Sequence, residues 1–162
     1  MNKHGELSSD RAAIILAGGE GLRLKPLTSR IAGQDIPKQY CRLLSEQTLL
    51  DQTRNRVALV VDAPSTLVVV TKAHERFYRP LLTNGSAAQL VVQPQNRGTA
   101  PAILYALLRL AKLAPRAAVT VFPCDHYVSD NQLFMHHVEL AFPRHRITAG
   151  AHSAARDHSR PR

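Results

Sequence analysis

Six residues, Ala12-Ala13-Ile14-Ile15-Leu16-Ala17, constrain what this chain can fold into more than any other stretch. A short, unbroken apolar run of this length reads as a strand buried on both faces, and such a strand needs covering layers above and below it. The run breaks into Gly18-Gly19-Glu20-Gly21, and Arg23 follows two positions after the last glycine. Glycine lets backbone N–H groups approach an anion with no Cβ in the way, so this strand end reads as a phosphate cradle. The plainer alternative is a tight turn with no ligand. Neither common phosphate motif is present. No G-x-x-x-x-G-K-[ST] run exists, and the dinucleotide pattern G-x-G-x-x-G fails at Leu24.

The rest of the chain alternates strand and helix. Thr48-Leu49-Leu50-Asp51 has the T-x-x-D form of a capping box, and Leu50, Thr53, Val57 and Val61 recur at helical spacing, which predicts a helix over 49–59. Apolar, β-branched Thr66 to Thr71 is a second strand. A short helix over 73–82, ended by Asn84-Gly85, leads to a third strand over 89–93. Thr99 can cap the next helix, with Pro101 in its first turn and a stripe of Ile103, Leu107, Leu110 and Ala114 facing the core. Residues 118–122 form a fourth strand, and Asp130 or Asn131 caps a helix bearing Phe134, Val138 and Ala141. Between Gly21 and Pro37 no periodicity is clear, so a long loop is expected there, a feature uncommon unless functional.

This alternation implies an α/β fold: a Rossmann-like, doubly wound, mainly parallel sheet. Ligands in such sheets bind beyond the carboxyl ends of the strands. The glycine loop, the Gln93–Thr99 loop and the Pro123–His126 loop all follow strands, so one sheet edge can bring them together. The expected organisation is a flexible leader over 1–10, an α/β domain over 11–142 and a disordered tail over 143–162. The tail lacks either periodicity and carries Arg144, Arg146, Arg156, Arg160 and Arg162.

No apolar run approaches the length of a membrane span, and the polar start has no signal-peptide core, which points to the cytoplasm. The formal net charge of +9, from 21 Lys+Arg against 12 Asp+Glu, invites a nucleic-acid hypothesis. The basic residues are scattered outside the tail, so that hypothesis ranks last, and a phosphate-rich small ligand suits the same field. Cys41 and Cys124 form no CxxC or zinc pattern and read as free thiols. Adjacent His136 and His137 cannot share a helix face as metal ligands at i and i+4 do, so at least one faces solvent.

Three further motifs follow the glycine loop in order: Pro37-Lys38-Gln39, then Gln93-Pro94-Gln95-Asn96-Arg97-Gly98-Thr99-Ala100-Pro101-Ala102-Ile103, then Phe122-Pro123-Cys124-Asp125-His126. From about Arg11 to Phe142 the set resembles the nucleotide-binding half of the sugar-phosphate nucleotidyltransferases, most of all the mannose-1-phosphate guanylyltransferases. The resemblance implies a GT-A-like nucleotidyltransferase fold and transfer of GMP from GTP to mannose 1-phosphate, giving GDP-mannose and pyrophosphate. It implies that Gly18, Gly19 and Gly21 offer amides to the triphosphate and that Arg23 contacts its outer phosphates. Lys38 would be a second cation near the α-phosphate or the sugar phosphate. Gln93, Asn96, Gly98 and Thr99 would frame the base and ribose, and Asp125 would hold Mg2+.

Two substitutions depart from the family pattern: Leu22 stands where a threonine-like residue is usual, and Cys124 replaces serine or alanine. The family continues past the point matching Phe142 with strands that bind the sugar phosphate and supply a second metal-binding aspartate. Those parts are expected to be missing here, so the chain reads as truncated on its C-terminal side. Two alternatives follow: an inactive nucleotide-binding domain, or a nucleotidyltransferase for another base or sugar phosphate.

Overall fold

The computed structural model describes residues 10–43, 45–83 and 89–151. Four strands, β1 (Arg11–Leu16), β2 (Thr66–Thr71), β3 (Gln89–Gln93) and β4 (Ala118–Pro123), form one sheet in the order β3-β2-β1-β4. Every pairing is parallel. Five helices connect and follow them: α1 (Lys25–Ala32), α2 (Leu49–Val57), α3 (Glu75–Thr83), α4 (Thr99–Leu113) and α5 (Asn131–Ala151).

The two faces of the sheet explain why its central strands carry no polar alternation. Ala13, Ile15, Val68 and Val70 pack with Leu50 and Val57 of α2, Tyr78 of α3 and Met135 of α5. Ala12, Ile14, Leu67, Val69 and Val91 pack on the other face with Ala102, Ala106 and Leu110 of α4. All six residues of β2 are buried. Helices on both faces of a parallel sheet make the doubly wound arrangement that the sequence pattern calls for. With α4 the one helix packed on the second face among the described residues, Val119 and Val121 of edge strand β4 stay partly exposed.

Strand positions agree with the apolar runs to within a residue, and Thr48 caps α2 as expected. Its Oγ1 accepts from the Asp51 amide (3.1 Å) and donates to Asp51 Oδ2 (2.7 Å). Other expectations need correction. The stretch after the glycine loop is a 3₁₀ turn (Leu22–Leu24) running into α1 rather than a long loop. Pro26 sits in its first turn, and Gly33 ends it at φ +69. Terminal signals and the Lys25–Asp35 ion pair (2.7 Å) define this helix. Thr28 alone is buried, so no inward stripe marks it.

Helix α2 ends at Val57, two residues short of the expected end. Gly98, at φ +92, caps α4 in place of Thr99. The core-facing residues of α4 are Ala102, Ala106 and Leu110, whereas Leu107 is exposed and Ile103 only half-buried. Close approach to the sheet selects the alanines, and the larger side chains turn aside. On α5, among the residues whose burial is described, Met135 and Phe142 are buried, one position away from the expected Phe134 and Ala141. Asp130 caps this helix, its Oδ1 accepting from the Leu133 amide (2.9 Å).

The backbone of α5 continues to Ala151, past the expected start of the tail at 143. Extending an existing helix needs no new nucleus, so weakly periodic residues can follow. Residues 1–9, 44, 84–88 and 152–162 lie outside the described part, and with them most of the leader, the Asn84-Gly85 stop and the rest of the tail.

Candidate functional site

The chain steps outward from β1 to β2 to β3, then returns to the far side of β1 for β4. The loops after β1 and β4 both lead to helices on one face of the sheet and the loop after β3 leads to α4 on the other, and between these loops lies a crevice at the carboxyl end of the sheet. The glycine loop lies on one side of it and Pro123–His126 on the other. The two stay in register: Leu16 pairs with Pro123, and the Cys124 amide donates to the Leu16 carbonyl (3.4 Å).

Asp125 stands at the mouth of this crevice, where its Oδ2 accepts from Lys38 Nζ. Burial pushes the Asp125 carboxyl up, but the Lys38 hydrogen bond and charge overcome it and hold the group below its ordinary value. Lys38 is placed by Gly21. That glycine has φ +66, and a Cβ there would lie 3.2 Å from the Lys38 backbone nitrogen, so the turn needs glycine for conformation and for space. Next to the ion pair, burial and then the Asp125 charge push the Cys124 thiol up to about 12. A thiol so protonated is no nucleophile near neutral pH, which agrees with its reading as a free, non-catalytic cysteine.

Six of the residues expected to bind nucleotide line one cavity of about 150 Å³: Gly18, Gly19, Gln93, Asn96, Gly98 and Thr99. Gly18 is tightly fitted, since a Cβ would come within 2.9 Å of Thr71 Oγ1 and 3.2 Å of Gln93 Oε1. A Cβ on Gly19 would meet nothing within 4 Å. Asn96 Oδ1 accepts from the Gly98 amide (3.0 Å) and fixes the turn into α4. Arg23 is not drawn in. It is exposed on the 3₁₀ turn, with no side-chain hydrogen bond or ion pair among the described residues. His126, His136 and His137 are all exposed.

The nucleotidyl transferase family model matches residues 12–159. The chain belongs to the nucleotidyl transferase family. Its relatives include the alginate biosynthesis protein AlgA of Pseudomonas aeruginosa, 32% identical over 131 residues, which cover 79% of this chain and 26% of AlgA. A mannose-1-phosphate guanylyltransferase of Escherichia coli is 30% identical over 141 residues, covering 85% of this chain and 29% of the enzyme. The chain thus spans little more than a quarter of these relatives. Among solved structures, a Thermus thermophilus protein described as a mannose-1-phosphate geranyltransferase superposes with a TM-score of 0.67 at 31% identity. The match covers 80% of this chain and 36% of that one.

Sequence reasoning about this nucleotidyl transferase domain missed the residues beneath the glycine loop. Gln39 Nε2 donates to the carbonyls of Ala17 (2.9 Å) and Gly19 (2.8 Å). Tyr40 Oη donates to the Ala17 carbonyl (2.8 Å), and Thr71 Oγ1 to the Gly18 carbonyl (2.9 Å). His74 is also buried there, with Nε2 3.8 Å from Glu20 Oε2 and Nδ1 without a partner among the described residues. Burial holds His74 below its ordinary value, against the pull of the Glu20 carboxylate. The available signals were a glutamine and a tyrosine directly after Lys38 and a threonine ending a strand, each polar where an apolar residue would serve a core.

Proposed function

We propose that this chain is the nucleotide-binding part of a sugar-1-phosphate nucleotidyltransferase that moves GMP from GTP to mannose 1-phosphate. An oxygen of the sugar phosphate attacks the α-phosphorus of GTP, the bond to the β-phosphate oxygen breaks, and GDP-mannose and pyrophosphate form. Such a transfer asks the protein for positioning and charge neutralisation rather than covalent chemistry. The observation that carries the reading is the shared strand end. Lys38 and Asp125 are paired, Lys38 lies against Gly21 of the glycine loop, and Gly18 and Gly19 of the same loop line a cavity with the Gln93–Thr99 turn.

In this reading the amides of Gly18, Gly19 and Gly21 take the triphosphate, and Gln93, Asn96, Gly98 and Thr99 hold the base and ribose. Arg23 folds onto the outer phosphates from its exposed position. Lys38 leaves Asp125 for the α-phosphate or the sugar phosphate.

Asp125 has the chemistry of a Mg2+ ligand: a hard carboxylate, partly exposed just past a strand end, with Lys38 held on Oδ2. No group of three or more His, Cys, Asp or Glu suited to a metal occurs among the described residues, so phosphate oxygens and water would complete the shell. Mg2+ held there would neutralise charge on the triphosphate and on the departing pyrophosphate.

The clustering of Gly18, Gly19, Gln93, Asn96, Gly98 and Thr99 around one cavity, with Arg23 exposed outside it, favours a second reading, GTP binding without turnover. A coupled assay of pyrophosphate release with GTP, Mg2+ and mannose 1-phosphate, run beside calorimetric GTP binding, separates the two. Release dependent on mannose 1-phosphate supports the transferase, binding alone supports the module, and no binding refutes both.

A further inference from the structure

We infer that Gln39, Tyr40 and Thr71 are positioning residues that fix the orientation of the glycine-loop amides that form the phosphate site. The inference rests on the reading above and adds to it the device that prepares the loop. Three consecutive carbonyls, those of Ala17, Gly18 and Gly19, are taken by four hydrogen bonds from side chains. All three donor residues are buried, at 2%, 4% and 2% exposure for Gln39, Tyr40 and Thr71. Gly19 and Glu20 are exposed, so the loop is gripped by buried side chains, Gln39 and Tyr40 on one side and Thr71 beside Gln93 on the other, and is open to solvent at its tip.

The consequence follows from the peptide group itself. The carbonyl of one residue and the N–H of the next belong to one planar trans unit and point in opposite directions. Fixing the carbonyls of 17 and 19 on Gln39 therefore turns the N–H groups of Gly18 and Glu20 away from Gln39, and fixing the carbonyl of 18 on Thr71 turns the N–H of Gly19 away from Thr71. None of those three amides donates to an acceptor among the described residues. Consecutive backbone amides left without an acceptor can form an anion-binding concavity. The space above Gly19 is open to 4 Å around a Cβ position, so an anion can reach them.

A glycine pair left to itself samples many peptide orientations, and binding would then have to order them. The side-chain grip does this beforehand. It also uses the carbonyl oxygens, which would otherwise repel a phosphate on the same face. Gln39 does the most, because one amide group bridges two carbonyls on either side of Gly18.

The test uses the full 162-residue chain and three isosteric donor deletions, Gln39→Met, Tyr40→Phe and Thr71→Val, with Thr71→Ser as the conservative variant. Affinities for inorganic tripolyphosphate, GTP and guanosine are measured by calorimetry, and folding is checked by circular dichroism. The expected result is a parallel loss for tripolyphosphate and GTP of roughly fivefold or more in each deletion. Guanosine binding stays unchanged, and Thr71→Ser restores the phosphate-dependent affinity. Folded variants that bind tripolyphosphate as the parent does would overturn the inference, as would equal losses for GTP and guanosine. Should one deletion fail to fold, the other two carry the test. A parent chain that binds neither GTP nor tripolyphosphate sinks the functional reading itself, a separate outcome from unaffected variants.

Discussion

Replacing Gly18 and Gly19 by alanine, one at a time, should separate the fold from the site. A Cβ at Gly18 would press on Thr71 Oγ1 at 2.9 Å and Gln93 Oε1 at 3.2 Å, both on buried side chains that have little room to retreat. Overpacking of this kind costs about 1–3 kcal/mol, and for a chain of this size each kcal/mol lowers Tm by at least about 2 °C. At Gly19 nothing lies within 4 Å of the added carbon, and the residue is not in the left-handed region. Gly19→Ala should therefore leave Tm unchanged or raise it slightly, since alanine restricts the unfolded chain by about 0.4–1 kcal/mol.

Binding should follow the opposite order for Gly19. Its methyl would stand in the open space through which a phosphate reaches the loop amides. Losing one charge-assisted contact costs about 1.5–3 kcal/mol, or roughly ten- to hundredfold in Kd. Thermal unfolding and GTP calorimetry on both variants give the comparison. A Gly19→Ala protein that binds GTP as tightly as the parent would refute the phosphate role of the loop. A large fall in its Tm would refute the description of the space above it.

Other outcomes follow from the same geometry. Thr48→Ala should destabilise the chain by about 0.5–2 kcal/mol in denaturant unfolding, and Thr48→Ser should not, because only the first loses the oxygen that caps α2. Asp125→Asn should abolish magnesium-dependent turnover while costing at most about 1 kcal/mol of stability, since the Lys38 pair is about a third exposed. The folded Asp125 carboxyl lies below its ordinary value, so its stabilisation is present above the unfolded value and is lost as pH falls through the folded one. The stability gap between parent and Asp125→Asn should close in acid below about pH 4. Cys124 behaves in the reverse sense. Its thiol is raised from 9.0 to about 12, so the stability it contributes is lost as pH rises through that window. At pH 8 a thiol reagent should modify Cys124 no faster than the chain unfolds.

Much of this architecture is legible in the sequence because its strands are buried on both faces. Ile14 and Ile15 point to opposite sides of the sheet and are equally buried, so the run between Ala12 and Ala17 has no competing helical reading. The capped start of α2 is legible for a similar reason, since Thr48 and Asp51 meet locally. Helix α1 is not, because its two ends define it and its middle buries only Thr28. The stripe of α4 is misread by hydrophobicity, which favours Ile103 and Leu107 over the alanines that touch the sheet.

At the site, the expected base-side residues meet because they all lie at the end of β3 or in the turn from it into α4. The grip on the glycine loop was hidden for a different reason. Gln39, Tyr40 and Thr71 lie 20 to 53 positions from the carbonyls they hold, and no local pattern links them.

The most direct measurement is an amide chemical-shift titration of the 15N-labelled chain with GTP and Mg2+. The largest changes should fall on Gly18, Gly19, Glu20 and Gly21, with a second group at Asn96, Gly98 and Thr99. Saturable changes confined to another surface, with the glycine loop silent, would contradict the phosphate role of the loop.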